Sequence, residues 1–250
     1  MFPQAAEPDA FGAPSFATPK ITATVPVIRV RELGIRGDRG EWRISNATFA
    51  VRAGEIVGIA GVEGSGHHDL LQALAGVREP AAGVLELPSR VSFVPGDRHR
   101  DALILDAPLY ENLALHGAGA RTGLVDWSAV RARTKVVMDA FDVRGRSPRD
   151  RAGSLSGGNQ QRFVLGRELD SDPQLLVAEN PTRGLDLQAT AAVHGRLRAA
   201  AAGGVAVIVH SADLDELLAL AHRVLVVHAG TVQEIPPDRD RAWQAMVGAG

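Results

Sequence analysis

The chain has 250 residues, a formal net charge of −2 at pH 7 and no cysteine. Its length allows one large α/β domain or two small ones, and a hydrophobic content of 45% excludes a disordered chain. The balanced charge gives no reason to expect nucleic-acid binding, and the lack of cysteine excludes disulfides and thiolate metal sites. No apolar run approaches the roughly 18 residues of a membrane helix, so we expect any membrane contact to go through a partner protein.

Residues 1–25 are rich in Pro and Ala and show no hydrophobic period, which predicts a disordered arm or linker. They lack the basic start and the continuous apolar stretch that are typical of a signal peptide. The folded domain is therefore expected to span residues 26–250.

Short apolar runs alternate with helical patterns along this domain. Strands are predicted at 27–30, 47–51, 55–60, 174–178, 205–209 and 223–227, and helices near 66–76, 158–169, 187–201 and 213–221. The first two strands indicate a small antiparallel sheet. The later strands alternate with helices, which predicts a mainly parallel sheet with right-handed crossovers.

One stretch, from about residue 98 to residue 155, is mostly helical and has no convincing buried strand. Apolar residues recur there at the helical period, and we expect them to pack in the core: Trp127, Val130, Val137, Met138 and Phe141. The stretch is predicted to be a helical subdomain inserted into the α/β core.

A glycine-rich turn directly follows the strand at 55–60 and precedes a helix. Its residues are Gly61, Val62, Glu63, Gly64, Ser65, Gly66, His67 and His68. Gly61 and Gly66 have the spacing of a phosphate-binding loop, in which backbone N–H groups wrap the phosphates at the helix N-terminus. The sequence therefore predicts a nucleotide phosphate site here.

The last two positions of this loop depart from the pattern G-x-x-x-x-G-K-[ST]. His67 replaces the lysine that reaches the β- and γ-phosphates, and His68 replaces the hydroxyl that ligates Mg²⁺. Losing a charge-assisted hydrogen bond of about 1.5–3 kcal/mol lowers the affinity by roughly one to two decades. We expect weak nucleotide binding through the backbone. There are two alternatives: a turn that binds no ligand, and a metal site with both histidines as ligands. The metal site is disfavoured because adjacent side chains diverge.

A second glycine-bearing helix start follows Leu155. Its residues are Ser156, Gly157, Gly158, Asn159 and Gln160. Ser156 is a good N-cap, and the two glycines leave the first N–H groups open to an anion. With Leu155 before it and Gln161 and Arg162 after it, this segment resembles the LSGGQ-type signature of the ABC ATPase superfamily, and it follows a phosphate loop in the order of that family. The resemblance covers about residues 27–250 and implies the P-loop NTPase fold, with ATP and Mg²⁺ as ligands.

The resemblance assigns roles to several further positions. Glu179 stands at the Walker B aspartate that supports Mg²⁺, and Asn180 stands at the catalytic glutamate. An amide has no basic oxygen to activate water, and losing a general base costs about 10²–10⁴-fold in rate. The D-loop is intact and is implied to lie at a dimer interface; its residues are Gly184, Leu185 and Asp186.

Two other positions of the family pattern are also replaced. Ala212 stands where a switch histidine senses the γ-phosphate, and Gly96 stands where the Q-loop has its glutamine. We expect His210, two places before the switch position, to be a strand-end histidine that points elsewhere. No clear aromatic residue stands at the adenine-stacking position, although Trp42 is nearby in sequence.

The replacements all affect the chain's own ATP site, whereas the signature and the D-loop serve a site across the dimer interface. The resemblance thus implies a chain that completes a partner's competent site while its own site is degenerate. Four segments resemble importers for monosaccharides and nucleosides: residues 57–64, the Gly-Asn-Gln-Gln signature, residues 180–186 and residues 211–217. Asn180 and Ala212 favour the nucleoside branch. In that group one polypeptide usually carries two ATPase halves, and this chain looks like the second, either as a split gene product or as a fragment.

The implied partners are a second ABC ATPase domain, transmembrane permease subunits and, indirectly, an extracytoplasmic solute-binding protein. The implied location is the cytoplasmic face of the cell membrane. Two alternatives remain open. A non-transport ABC protein would usually keep intact Walker residues and add coiled-coil insertions, whereas a pseudo-ATPase scaffold would bind a partner and no nucleotide.

Overall fold

The computed structural model describes residues 25–248, so the predicted arm lies outside the described residues except for Val25. The strands are β1 (Pro26–Arg36), β2 (Trp42–Arg52), β3 (Ile56–Gly61), β4 (Ala82–Glu86), β5 (Val91–Val94), β6 (Leu175–Glu179), β7 (Ala206–His210), β8 (Arg223–His228) and β9 (Thr231–Ile235). The α-helices are α1 (His67–Leu74), α2 (Arg98–Asp101), α3 (Leu109–Ala114), α4 (Trp127–Ala140), α5 (Gly157–Asp170), α6 (Leu187–Ala202), α7 (Leu214–Leu220) and α8 (Arg239–Val247).

The larger sheet has six strands in the order β5-β6-β7-β3-β8-β9. All neighbouring pairs are parallel except β8 and β9, which form an antiparallel hairpin. The smaller sheet is antiparallel, in the order β2-β1-β4. The predicted fold class, a mainly parallel sheet with a small antiparallel sheet and helices, is therefore confirmed.

Strand β3 separates two hydrophobic cores because its successive side chains point to opposite faces of the sheet. Ile56 and Ala60 pack in the core that contains residues of α4 to α7, and Val57 and Ile59 pack in the core with the small sheet and α1. Burial on both faces explains why β3, β6 and β7 read as continuous apolar runs.

Between β5 and β6 the described chain contains α2, α3, α4, α5 and two 3-10 turns, without a strand. Val137 and Met138 are buried as predicted, and Phe141 packs against the same core. The prediction was wrong for Trp127, which is 42% exposed and meets Tyr110 edge-on at 5.6 Å. Trp127 is the first residue of α4, and the inward face begins nearer to the buried Thr134. The division into subdomains stays a prediction.

The parallel strands β3, β6 and β7 end at one edge of the sheet, at Gly61, Glu179 and His210. The residues that follow these strands therefore converge there. Among the helices of residues 25–248, each is too short or too polar to cross a lipid bilayer.

Candidate phosphate site and signature helix

A cleft of about 1150 Å³ opens at the carboxyl ends of β3, β6 and β7. Residues of the glycine-rich loop line one side, and the segments that follow β6 and β7 line the other. Gly96, the residue at the predicted Q-loop position, also contributes to the wall. The structure thus brings together the residues predicted for the chain's own phosphate site.

The glycine-rich loop turns sharply before α1. Gly66 has φ 102°, and a Cβ atom there would lie 2.2 Å from the carbonyl oxygen of Arg43, so this position requires glycine. Gly64, at φ 81°, faces open space. Because α1 starts at His67, the first N–H groups of this helix have no partner within it and are suited to an anion.

His67 lies in the wall of the cleft. Its side chain is buried, Nδ1 lies 3.0 Å from Ser65 Oγ, and the ring stacks on His210 with 4.4 Å between centroids. Burial lowers the pKa of His67 below its ordinary value, and the neighbouring His210 lowers it further. At pH 7 the ring is therefore neutral and does not supply the charge of the lysine that it replaces.

His210 does not point away from the site, contrary to the expectation from sequence. It is the last residue of β7, as predicted, but its ring lines the cleft and Nδ1 donates to the Ile59 carbonyl oxygen at 2.8 Å. Burial lowers its pKa. The stack of two neutral rings was missed because the contact joins the start of α1 to the end of β7, which are remote in sequence.

His68 has different partners from His67. Its Nδ1 lies 2.8 Å from Glu179 Oε1, and its Nε2 lies 3.0 Å from the Gln72 amide nitrogen. Arg78 Nε donates to the Gln72 Oε1 at 3.0 Å, which orients the amide so that its nitrogen faces His68. These contacts assign the His68 proton to Nδ1, where it donates to Glu179.

The carboxylate of Glu179 is held on both sides. Besides His68 at one oxygen, the backbone N–H of Gly96 donates to Oε2 at 3.3 Å. Burial alone would raise the pKa of Glu179, but the hydrogen bonds from His68 and from the Gly96 N–H keep it below its ordinary value. The hydrogen bond with Glu179 raises the pKa of His68. Glu179 is therefore ionised at neutral pH.

Mg²⁺ does not fit these residues. The cation requires oxygen ligands in near-octahedral geometry, whereas an imidazole stands at the hydroxyl position and occupies the carboxylate that would support the ion. Over residues 25–248 no group of three or more His, Asp or Glu side chains is arranged to hold a metal ion.

Asn180 ties two strand ends together. Its Oδ1 accepts a hydrogen bond from the Ala212 N–H at 2.9 Å, and its own N–H donates to the His210 carbonyl oxygen at 2.8 Å. The residue has φ 46°, a left-handed conformation that asparagine tolerates better than most residues. The Asn180 side chain, at the predicted catalytic position, therefore links the backbone after β6 to the backbone after β7.

A carboxylate that the sequence did not indicate lies beside this tie. Glu216 accepts hydrogen bonds from Thr182 Oγ1, Ser211 Oγ and His194 Nε2, each at 2.6 Å. Burial opposes its ionisation, but these three donors lower the pKa of Glu216 below its ordinary value. Only the tertiary structure brings His194 of α6 to α7, so no local motif could have revealed the cluster.

The signature residues lie outside the residues that line the cleft. Ser156 caps α5 as predicted, and its Oγ accepts from the Asn159 N–H at 3.4 Å. Gln160 is buried, and its Oε1 accepts from Arg98 Nε at 3.2 Å and faces His99 Nε2 at 2.8 Å. Side chains of α2 therefore hold the start of α5 in position. Gly157 and Gly158 form the first turn of this helix.

The D-loop adjoins the signature helix. A Cβ atom on Gly158 would lie 3.4 Å from Leu185 Cδ2, so the two segments are neighbours. Gly184 has φ 78°, and Asp186 caps α6 by accepting from the Ala189 N–H at 2.8 Å. Leu187, the next residue, is 91% exposed.

Trp42, the aromatic residue near the adenine-stacking position in sequence, packs against Arg36. The Arg36 guanidinium carbon lies 4.1 Å from the centroid of the Trp42 ring.

The family model described as "ABC transporter" matches residues 44–183 of this sequence. The chain belongs to the ABC transporter family. This confirms the resemblance that the signature segment and the phosphate loop indicated.

Curated relatives carry the names of import proteins. The chain is 37% identical over 241 residues to the nucleoside import ATP-binding protein NupA of Lactococcus lactis subsp. cremoris, covering 88% of this chain and 48% of that protein. It is 38% identical to the glucose import ATP-binding protein TsgD13 of Haloferax volcanii, with 90% and 45% covered. The guanosine import ATP-binding protein NupO of Bacillus subtilis is 33% identical, with 87% and 47% covered. The chain spans about half the length of these relatives.

Solved structures support the fold. A dimeric structure of a post-hydrolysis state of the ATP-binding cassette MJ0796 bound to ADP and Pi has a TM-score of 0.72 and 21% identity, with 85% of this chain and 99% of that chain covered. An inward-facing conformation of a putative metal-chelate type ABC transporter has a TM-score of 0.75 and 20% identity, with 90% of each chain covered.

Proposed function

We propose that this chain is an ATP-binding subunit of an ABC importer for nucleosides or simple sugars. In this proposal it supplies its signature helix to the ATP site of a second ABC ATPase domain, while its own site is degenerate. The pair drives transmembrane permease subunits at the cytoplasmic face of the membrane, and an extracytoplasmic binding protein delivers the solute. The importer assignment draws on the names of the relatives, which include nucleoside, guanosine and glucose import proteins.

The observation that carries the proposal is the state of the side chains at the chain's own site. His67 is stacked on His210, His68 is bonded to Glu179, and the Asn180 amide is bonded to the backbone of Ala212. None of these groups is a general base for water or a cation directed at a phosphate, which supports a site that does not hydrolyse ATP.

The signature helix is built differently. Ser156 and the two glycines start a 14-residue helix whose free N–H groups are suited to an anion, and Gln160 holds this start against α2. In the proposed complex these N–H groups stabilise the charge of the γ-phosphate bound by the partner. The neighbouring D-loop then lies at the same interface.

A chimera tests this proposal directly. The segment of NupA that this chain matches is replaced by this chain, and ATP hydrolysis is measured in the purified chimera. A Gly158→Asp variant places a carboxylate at the signature without blocking the helix start, since aspartate is favourable in a first turn. We expect hydrolysis to fall about 10²-fold, as when a donor to a developing charge is removed.

Gly195→Asp is the matched control, because Gly195 lies in α6 and a Cβ atom there would meet nothing within 4 Å. It should leave the rate unchanged. Asn180→Gly, which suits the left-handed backbone there, should change the rate by less than about twofold. Robust hydrolysis by this chain alone that Asn180→Gly abolishes, or an unchanged rate in the Gly158→Asp chimera, would contradict the proposal.

A further inference from the structure

We infer that the chain's own cleft binds a nucleoside polyphosphate free of any divalent cation, with the His68–Glu179 pair standing in the place of Mg²⁺. This inference rests on the proposed function, since it concerns the degenerate site of the same subunit. It assigns that site a ligand class, a metal-free nucleotide, which differs from the Mg²⁺ complex that the family implies.

The His68 ring is fixed by a chain of side-chain hydrogen bonds. Arg78 Nε orients the Gln72 amide, and the Gln72 nitrogen in turn faces His68 Nε2. The ring is therefore held with its Nδ1 proton on Glu179 at 2.8 Å. Turning the ring away would break contacts at both of its nitrogens, so the pair is a built feature of the cleft.

The pair removes what a magnesium ion needs. Glu179 has one oxygen engaged by His68 and the other by the Gly96 N–H. Imidazole is a poor ligand for Mg²⁺, which prefers carboxylate, carbonyl and water oxygens. Binding of the ion would require His68 to leave and would still lack the loop hydroxyl.

The backbone of the glycine-rich loop keeps a conformation that suits phosphate binding. Gly64 and Gly66 retain positive φ values, and α1 still begins at His67. Successive N–H groups in such a loop bind anions without a metal ion. Two arginines also line the cleft: Arg100, which is paired with Asp101 at 2.8 Å, and Arg183.

The test is a calorimetric titration of the full chain with ATP, once in EDTA and once in excess Mg²⁺. We expect the two dissociation constants to agree within about threefold. His68→Thr restores the loop hydroxyl and frees the Glu179 oxygen, so Mg²⁺ should then tighten ATP binding by at least about tenfold. His68→Asn keeps an N–H donor for Glu179 and adds no hydroxyl, and its binding should stay insensitive to Mg²⁺.

Two glycine variants locate the bound nucleotide. Gly64→Asp places a negative charge at the loop and should weaken binding by at least about tenfold through repulsion of the phosphates. Gly204→Asp is the matched control, because Gly204 has φ 97°, equally open surroundings and a position between α6 and β7. It should bind ATP as the unchanged chain does.

Three results would overturn the inference: no ATP binding in EDTA, tenfold tighter binding of the unchanged chain in Mg²⁺, or equal weakening by both glycine variants. Each of these leaves the signature role intact, because that role is measured by hydrolysis in the Gly158→Asp chimera. Conversely, an unaffected chimera would refute the proposed function while metal-free binding by the isolated chain still stood.

Discussion

Glu216 is a carboxylate with three side-chain donors around it, and its surroundings determine how it responds to pH. Thr182, Ser211 and His194 all donate to it, and its side chain is only 11% exposed. These donors outweigh the effect of burial and lower its pKa below the ordinary value of 4.5. A group with a lowered folded-state pKa stabilises the fold above its unfolded pKa, and this contribution is lost as the pH falls through the folded value.

We predict that Glu216→Gln lowers the free energy of unfolding by about 1.5–3 kcal/mol at pH 7, the worth of hydrogen bonds to a charged group. The difference between variant and unchanged chain should shrink as the pH falls below 4.5, because the carboxylate of the unchanged chain protonates first in the unfolded state. It should disappear once the pH is also below the lowered pKa of the folded state. Urea unfolding monitored at several pH values measures both effects.

Glu86→Gln is the control for this prediction, because Glu86 is half-exposed and pairs with Arg29 on the surface. An exposed pair contributes only about 0–1 kcal/mol. Equal losses in the two variants, or a Glu216→Gln difference that does not change with pH, would contradict the assigned role of the three donors.

At the scale of single residues, the sequence predicted the glycine-rich loop between β3 and α1, because the spacing of Gly61 and Gly66 matches that of a phosphate loop. The directions of the side chains were not predictable. His67 stacks on His210, and His68 binds Glu179, through contacts that span more than 100 positions. Motif spacing carries no information about such contacts.

At the scale of elements, the strands that are buried along their length were predicted, whereas β4, β5 and β9 were missed. Strands β3, β6 and β7 are buried along nearly their whole length and therefore stand out as apolar runs. Strands β4 and β9 are short and largely exposed, so neither gives an apolar run. Their pairing with β1 and β8 is set by tertiary context.

Helices α4 and α5 approach closely at Gly166, which is a feature of packing that periodicity does not reveal. A Cβ atom at Gly166 would lie 2.8 Å from Phe141 Cδ2 and 2.9 Å from Val137 Cγ1. Gly195 also lies within a helix, α6, but a Cβ atom there would meet nothing within 4 Å. Substitutions at these two glycines therefore separate the effect of packing on stability from the effect of helix propensity.

We predict opposite signs for the two alanine substitutions. Gly195→Ala should raise the free energy of unfolding by about 0.5–1 kcal/mol through helix propensity. Gly166→Ala gains the same propensity but overpacks the contact with α4 at a cost of about 1–3 kcal/mol, so it should lower stability. Chemical denaturation of both variants measures these changes in the free energy of unfolding. Stabilisation by Gly166→Ala would show that α4 moves to accept the methyl group without strain.

At the scale of the whole molecule, the functional features lie in two groups. The cleft contains the loop after β3 and the ends of β6 and β7, whereas the signature helix and the D-loop adjoin one another through Gly158 and Leu185. Sequence order predicted the members of both groups. It could not predict that a cluster around Glu216 joins the segment before the D-loop to the segment after β7.

Leu187 tests whether the D-loop surface meets a partner. It follows the α6 cap Asp186, is 91% exposed and also lines the cleft. In the proposed complex the second ATPase domain covers it. Burying a glutamate there is costly, so Leu187→Glu should lower ATP hydrolysis by the NupA chimera at least about tenfold, equivalent to about 1.4 kcal/mol.

Leu124→Glu is the matched control, since Leu124 is as fully exposed but lies between α3 and α4. The isolated chain should unfold at the same denaturant concentration with either substitution, because neither side chain is packed. Equal hydrolysis by both chimeras would mean that the surface beside the D-loop stays open to solvent in the working complex.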